Sequence, residues 1–387
     1  MINTFSTNYN EIKDHLNFFI DHYLADYSLN RNFDFGPPHK NVSKLSPYIR
    51  RRYISENKII GLISKKFKLR KVEKFIQEIF WRTYWRGWLE LHPQVYFEFQ
   101  NNMKTYEILN KTGIKCFDNW TDELIETGYL HNHARMWYAS IWIFTLKRRW
   151  EEGAHFFSDH LLDFCPASNT LGWRWVAGLQ TTGKHYLANA ENIKKFTNNR
   201  YYPEHQLNEN ELPIEDKKNL NSIVKSTIPY KEVLIDKIDK NKLGLILTNN
   251  DLSLDEEINK YKITNYEKCI FFEKSQKSKI IKNFEYNIFK DVQKRNVNCE
   301  LIRDFQSLIN WVSKKKIENL IIPYETVGSQ ILNKKEFLNY LRSNGVTFFF
   351  YLRDWDKYSF PHANKGFFSF KKKIPDLLIK NGFNNIF

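Results

Sequence analysis

Two periods of apolar and polar residues divide this chain. In its first half apolar positions return every three or four residues, the repeat of a helix with one buried face. Ile12, Leu16, Phe19, Ile20, Tyr23 and Leu24 predict an amphipathic helix over 8–26, followed by a loop ending at Gly36-Pro37-Pro38. A second helix is predicted over 71–90, with Trp81, Trp85 and Trp88 at i, i+4 and i+7 and His92-Pro93 as its stop. A short helix from Asn119 to Glu126 turns at Gly128 into an apolar, tryptophan-containing helix that runs to about Arg149. Trp150-Glu151-Glu152-Gly153 breaks it, a shorter helix continues to Leu162, and 163–169 reads as a turn before Gly172-Trp173-Arg174-Trp175.

Residues 206–242 are charged and Asn-rich, with Pro213 and Pro229, and predict a linker. Beyond it the pattern changes. Leu243-Gly244-Leu245-Ile246-Leu247, Cys269-Ile270-Phe271-Phe272, Leu320-Ile321-Ile322 and Val346-Thr347-Phe348-Phe349-Phe350 are short runs of branched and aromatic residues. Helical stretches at about 276–295, 304–315 and 331–342 separate them, and this alternation predicts a parallel sheet with covering helices. The expected organisation is multidomain, α and then α/β: a helical domain over 1–205, the linker, and a smaller α/β domain over 243–387. No Gly-rich phosphate fingerprint follows the first strand, only Thr248-Asn249-Asn250-Asp251.

A chain of 387 residues, 42% apolar and 16% aromatic, can build two ordinary cores. A formal net charge of +15 and a pI near 9.3 point to a polyanionic partner if the basic residues cluster, and to solvated Lys-rich helices if they do not. Cys116, Cys165, Cys269 and Cys299 have neither metal-finger nor redox-pair spacing, so buried reduced thiols are expected and no metal site. The N-terminus lacks a basic-then-apolar signal, and no run reaches the ~18–20 apolar residues of a membrane span. A soluble, cytoplasmic monomer is expected.

Polar residues interrupt the apolar helices in an ordered way. Asn132, Arg135 and Met136 stand at i, i+3 and i+4, so a helix presents an amide, a guanidinium and a thioether on one face. That face lines a cleft, or else it is a helix end whose polar residues cap and pair. Arg135 and Asp163 are opposite charges in a Trp-rich segment and can form a buried pair. Ser46 before Pro47 reads as an N-cap, a helix start able to receive an anion, and Arg50, Arg51 and Arg52 follow it with no evident partner. Glu78, Trp81 and Arg82 share a face of the 71–90 helix, where a tryptophan stripe alone would more often be core.

The order Gly128-Tyr129-Leu130-His131-Asn132-His133-Ala134-Arg135-Met136, a tryptophan, Asp163, then Pro166-Ala167-Ser168-Asn169 and Gly172-Trp173-Arg174-Trp175 resembles the flavin-binding core of the photolyase and cryptochrome family. The resemblance implies an all-helical FAD-binding domain followed by a Rossmann-like α/β domain. It implies that Tyr27, Ser43, Leu45 and Ser46 hold the FAD phosphates, with Val42 where relatives have threonine, and that Arg135, Asp163 and Asn169 surround the flavin, Asn169 opposite N5. Glu78, Trp81, Arg82, Asn132, Met136 and Trp175 match positions that grip a cyclobutane pyrimidine dimer. Trp173 and Trp150 match the first two members of an electron relay whose third member is not evident near Tyr96 and Phe97, so Glu78, Asn169, Trp173 and Trp150 become the catalytic candidates. His133 replaces a common arginine and Cys165 an aspartate.

The second half, with Lys365-Gly366-Phe367-Phe368-Ser369-Phe370, faintly resembles the α/β domain that such proteins carry before the flavin domain, so the domain order would be permuted here. No residue in it identifies an antenna chromophore. The implied activity is that of a deoxyribodipyrimidine photo-lyase, splitting dimers in DNA by electron transfer from photoexcited reduced FAD. The alternative is a cryptochrome-like blue-light photoreceptor without repair, and a flavoprotein with no light function is the third reading.

Overall fold

The computed structural model describes residues 5–103, 105–107, 111–181, 184–210, 227, 238, 242–273, 277–296, 298–329, 332 and 334–387, so most of the linker expected over 206–242 lies outside the described residues. The helical half runs α1 (Tyr9–His22), α2 (Tyr27–Asn30), α3 (Ser46–Arg50), α4 (Glu56–Ile63), α5 (Leu69–Leu91), α6 (Pro93–Asn102), α7 (Lys115–Thr127), α8 (Asn132–Ser140), α9 (Trp150–His160), α10 (Pro166–Val176) and α11 (Ala190–Phe196). Then come β1 (Leu243–Thr248), α12 (Leu254–Ile258), β2 (Glu267–Phe271), α13 (Lys279–Arg295), β3 (Cys299–Ile302), α14 (Phe305–Lys314), β4 (Asn319–Pro323), α15 (Lys335–Ser343) and β5 (Thr347–Tyr351). The chain ends in α16 (Asp354–Ser359), α17 (Phe367–Lys371) and α18 (Ile374–Lys380).

α5 is the strut of the helical half. Val72, Phe75, Ile76, Ile79 and Phe80 bury one stripe of it, and Pro93, which cannot continue a helix, begins α6. The last helices return to this strut. Trp355 of α16 stacks on Phe80 at 4.5 Å and donates from Nε1 to Thr83 Oγ1 at 2.8 Å. Gly87 permits the approach, since a Cβ there would lie 2.9 Å from the Phe360 backbone.

Four local expectations are corrected. The helix predicted to run to Arg149 ends at Ser140, passes through a π-turn at Ile141–Thr145 and turns at Lys147, which has φ 52°. Glu151 and Glu152 do not break a helix; they occupy the first turn of α9, where the helix dipole favours acidic residues. The predicted turn stops at Cys165, because Pro166 is suited to a first helical turn and α10 therefore contains Asn169. Ser46 is the first residue of a five-residue helix capped by Leu45 without a side-chain bond, not the N-cap itself.

The sheet is wholly parallel, in the order β3-β2-β1-β4-β5. β1 is buried along its length, as expected of a central strand covered on both faces. β3 went unpredicted: four residues, one of them Glu300, at a sheet edge give too short an apolar run to read. In an open parallel sheet the crevice at the strand carboxyl ends, where the order reverses, is the usual ligand position. Here the helical half enters beside it. Arg50 donates to Asn249 O and Asn250 Oδ1, both at 2.8 Å, and Arg51 to Asn249 Oδ1 at 2.9 Å and Glu285 Oε1 at 2.8 Å. One apolar cluster accordingly runs from Ile12 and Phe80 through Leu243 and Ile270 to Leu378. Among the described residues no helix is long and apolar enough to cross a membrane.

Candidate functional site

A cavity of about 530 Å³ lies inside the helical half, a size typical of cofactor and ligand sites. α5 supplies Glu78, Trp81, Arg82 and Trp85 as one wall, since these positions recur at helical spacing. α8 supplies Asn132, Arg135 and Met136, and α10 supplies Asn169, Trp173 and Trp175. Tyr27 and the segment Ser43, Leu45 and Ser46 complete it, with Asp163 between α9 and α10. Every candidate from the sequence except Trp150 therefore lines a single cavity. Trp150 stands outside that lining, stacked on Phe99 at 5.4 Å.

The cavity residues are held by specific bonds. Arg135 grips Asp163 with two nitrogens, at 3.0 and 2.9 Å, and donates from Nε to Leu130 O at 3.0 Å. Burial works against its charge, but Asp163 outweighs it and holds the guanidinium pKa above its ordinary value. Asn169 donates from Nδ2 to Ala154 O at 2.8 Å, which fixes the orientation of its amide. Trp173 presses against the backbone of α9 at Gly153, where a Cβ would come within 2.2 Å of its ring.

Two placements go beyond the sequence reading. Glu78 is paired with Arg31 at 2.8 Å, a residue that sequence spacing could not associate with it because α2 reaches α5 only in the folded chain. Burial raises the Glu78 carboxyl above the usual range, against the pull of Arg31. Arg82 turns its guanidinium toward Glu56 Oε1 at 3.3 Å and Arg50 O at 3.0 Å, so it braces α5 while lining the cavity. Cys165 lies among Arg50, Arg82 and Arg86. Burial works to raise its thiol pKa, but Arg82 and the other positive groups outweigh it and hold the value below the usual.

His131 precedes α8, in a stretch of sequence where nothing marks it as a site residue. Its Nδ1 accepts from His133 N at 3.2 Å, which assigns the ring proton to Nε2. Burial pushes its pKa down to about 3, so the ring is neutral. Nε2 is buried with no hydrogen-bond partner among the described residues, and so are Trp173 Nε1 and Arg82 Nε. Buried donors without partners cost free energy unless a ligand meets them. Three such atoms on cavity-lining residues, together with the hydroxyls of Ser43 and Ser46, fit a large polar cofactor such as a dinucleotide.

Comparison with known proteins bears on the same segment. The family described as the FAD binding domain of DNA photolyase matches residues 75–209. The deoxyribodipyrimidine photo-lyase of Alkalihalophilus pseudofirmus is 29% identical over 178 residues, 42% of this chain and 36% of that protein. That of Agrobacterium fabrum is 30% identical over 180 residues, 43% of this chain and 37% of that protein. The chain thus aligns with little more than a third of the length of the curated relatives it matches. Among solved structures, a bacterial class III photolyase from Agrobacterium tumefaciens is similar at 26% identity and a TM-score of 0.40, over 49% of this chain and 43% of that one. A Synechocystis cryptochrome is similar at 22% identity and a TM-score of 0.43, over 50% of this chain and 44% of that one.

Proposed function

We propose, from the match of residues 75–209 to the FAD binding domain of DNA photolyase, that this protein is a light-dependent DNA repair flavoprotein that binds FAD and splits cyclobutane pyrimidine dimers. The observation that carries this reading is the convergence of two residue sets on one cavity: Ser43, Ser46, Arg135, Asp163 and Asn169 for the cofactor, and Glu78, Trp81, Asn132, Met136 and Trp175 for the lesion.

When bound and reduced, FAD would supply the light-driven electron chemistry. The chain's residues do the rest. Tyr27, Ser43, Leu45 and Ser46 hold the phosphates, and the Arg135–Asp163 pair sets the geometry beside the flavin. The Asn169 amide, tied to Ala154, offers an uncharged polar group where an aspartate would favour other redox states. The indoles of Trp81 and Trp175 and the Met136 thioether pack on the flipped bases and exclude water, while Glu78 and Asn132 hydrogen-bond to them. Photolyases are among the enzymes that extrude their base from the stack, at a cost of a few kcal/mol that is least for a damaged pair. The net charge of +15 favours attraction to phosphates. The α/β half is the counterpart of the domain that relatives carry first, placed here after the flavin shell.

The test is irradiation of the purified, fully reduced protein with dimer-containing DNA while thymine recovery is followed. Recovery supports repair, and its absence removes the reading. One observation favours the cryptochrome-like alternative: Glu78 already pairs with Arg31 at 2.8 Å, which weakens it as a partner for a base. Flavin photoreduction without thymine recovery is the outcome that selects that alternative.

A further inference from the structure

The segment Lys365-Gly366-Phe367-Phe368-Ser369-Phe370 divides its three rings between the interior and the solvent. Phe367 lies on Trp81 with centroids 3.5 Å apart and planes 12° from parallel, so it backs a ring of the cavity wall. Phe370 packs on Tyr84 at 5.5 Å and Phe80 at 6.0 Å. The backbone is tied down as well, because Tyr84 donates from its hydroxyl to Lys365 O at 2.9 Å. Phe368, between the two buried rings, is 83% exposed. A lone exposed ring is common and by itself means little. This one is fixed on α17, one residue from the ring that backs Trp81.

Its surroundings are basic. Lys365, Lys372 and Lys373 are exposed beside it, and Lys371 reaches Glu73 on α5 at 3.4 Å. That contact brings the segment alongside the first turns of α5, where Arg70, Lys71 and Lys74 are exposed. The acids of this patch are Glu73 and Asp376, the latter 4.0 Å from Lys373. An exposed apolar ring flanked by lysines, one residue from the ring that backs the cavity wall at Trp81, is complementary to a nucleic acid duplex opened at one step.

We infer that Phe368 is a wedge for duplex DNA, filling the gap in the base stack when the dimer turns into the cavity, while Lys365, Lys372 and Lys373 contact the flanking phosphates. This inference rests on the repair reading. The unfilled gap left by an extruded base costs stacking energy, and an apolar side chain inserted between base steps offsets it. Single-stranded DNA has no such gap to hold open, so the ring matters for the duplex alone.

The experiment compares fluorescence anisotropy titrations of the FAD-loaded full chain with three probes: a duplex containing one thymine dimer, the same strand unpaired, and the intact duplex. Phe368→Ala is expected to bind the dimer duplex roughly tenfold more weakly and the single strand as the wild type does. Lys372→Ala/Lys373→Ala is expected to weaken all three probes and flatten the salt dependence, since released counterions scale with the phosphates neutralised. Wild-type affinity of Phe368→Ala for the dimer duplex overturns the wedge and leaves the repair reading standing, as does equal weakening on duplex and single strand. A wild-type chain that binds dimer and intact duplexes alike removes the repair reading and the wedge together. Loss of a wild-type self-association in Phe368→Ala on size exclusion reassigns the ring to a contact between copies and also overturns the proposal.

Discussion

At the scale of single residues, the repair reading rests on side chains that hold one partner in the chain and leave a place for a ligand. Glu78 is the test case, with Arg31 holding one oxygen at 2.8 Å and competing with a base for the carboxylate. Glu78→Ala is expected to lose about 1–3 kcal/mol of dimer binding, the usual cost of removing a partner from a buried polar contact. FAD content is expected to stay at the wild-type level. Absorbance of the purified variant and its affinity for dimer DNA check both halves, and loss of flavin would make Glu78 a structural residue. The proposed electron relay depends on ring contacts of the same scale. Trp173 meets the Trp142 ring edge-on at 6.3 Å, yet the Arg148 guanidinium lies 4.7 Å over Trp142, and a cation there opposes the positive charge that an oxidised indole carries. Trp150 is half-buried, so water can stabilise such a charge, and Arg174 is farther from it at 5.9 Å. Trp150→Phe is therefore expected to slow flavin photoreduction and Trp142→Phe to leave it near the wild-type rate, as followed by absorbance under blue light.

At the scale of elements, ion pairs fasten loops to helices. The loop after α2 is held by His39, whose Nε2 bonds Glu123 of α7 at 2.6 Å while Nδ1 faces Asp34 at 3.4 Å. Burial works to neutralise His39, but its bonds to Asp34 and Glu123 outweigh it and raise its pKa, while Asp34 is held well below the usual carboxylate range. The raised histidine contributes stability that is complete below its unfolded value of about 6.5 and is lost as pH rises through the folded value. The depressed Asp34 contributes above about 3.9 and is lost as pH falls through its folded value. His39→Gln is thus expected to cost about 1–3 kcal/mol near pH 5.5 and less near pH 9, which urea unfolding at both values measures. Such elements were unevenly legible in the sequence. α1, α5 and the four long strands carry their own period, and Glu78 with Trp81, or Asn132 with Arg135, share a wall because one helix spaces them. Arg31, His39 and the partners of Arg50–52 were not legible, because those contacts are made by segments far apart in sequence. The start of α9 is hidden in the sequence because Glu151 and Glu152 interrupt the apolar period while complementing the dipole of the helix they begin.

At the scale of the whole molecule, the two halves are joined by a buried charge network as well as by apolar packing. Asp356 of α16 sits between Arg52 at 2.7 Å and Arg86 at 2.8 Å, and Arg52 also faces Glu56 at 3.1 Å and Asp251 at 3.6 Å. Arg353 closes the other side on Asp251 at 2.6 Å. Arg86 shares α5 with the cavity-wall residues Trp81 and Glu78, and α16 follows the sheet, so this network ties the helix of the cavity wall to the α/β half. A buried network adds little stability over well-packed apolar residues, but removing one member leaves charges uncompensated. Asp356→Asn keeps the shape and removes the negative charge between two guanidinium groups. It is expected to cost about 3–5 kcal/mol, and chemical denaturation measures the loss. Burial works to raise the Asp356 carboxyl, but Arg52 and Arg86 outweigh it and hold its pKa below the usual range. Its contribution is therefore present above the unfolded carboxylate value and lost as pH falls through the folded one, so the gap between wild type and variant should close in acid. Because one apolar cluster crosses both halves, the wild-type chain is expected to unfold in a single calorimetric transition. Two resolved transitions in the wild type would show that the halves fold independently, and the sheet would then have no means of holding the cavity wall in place.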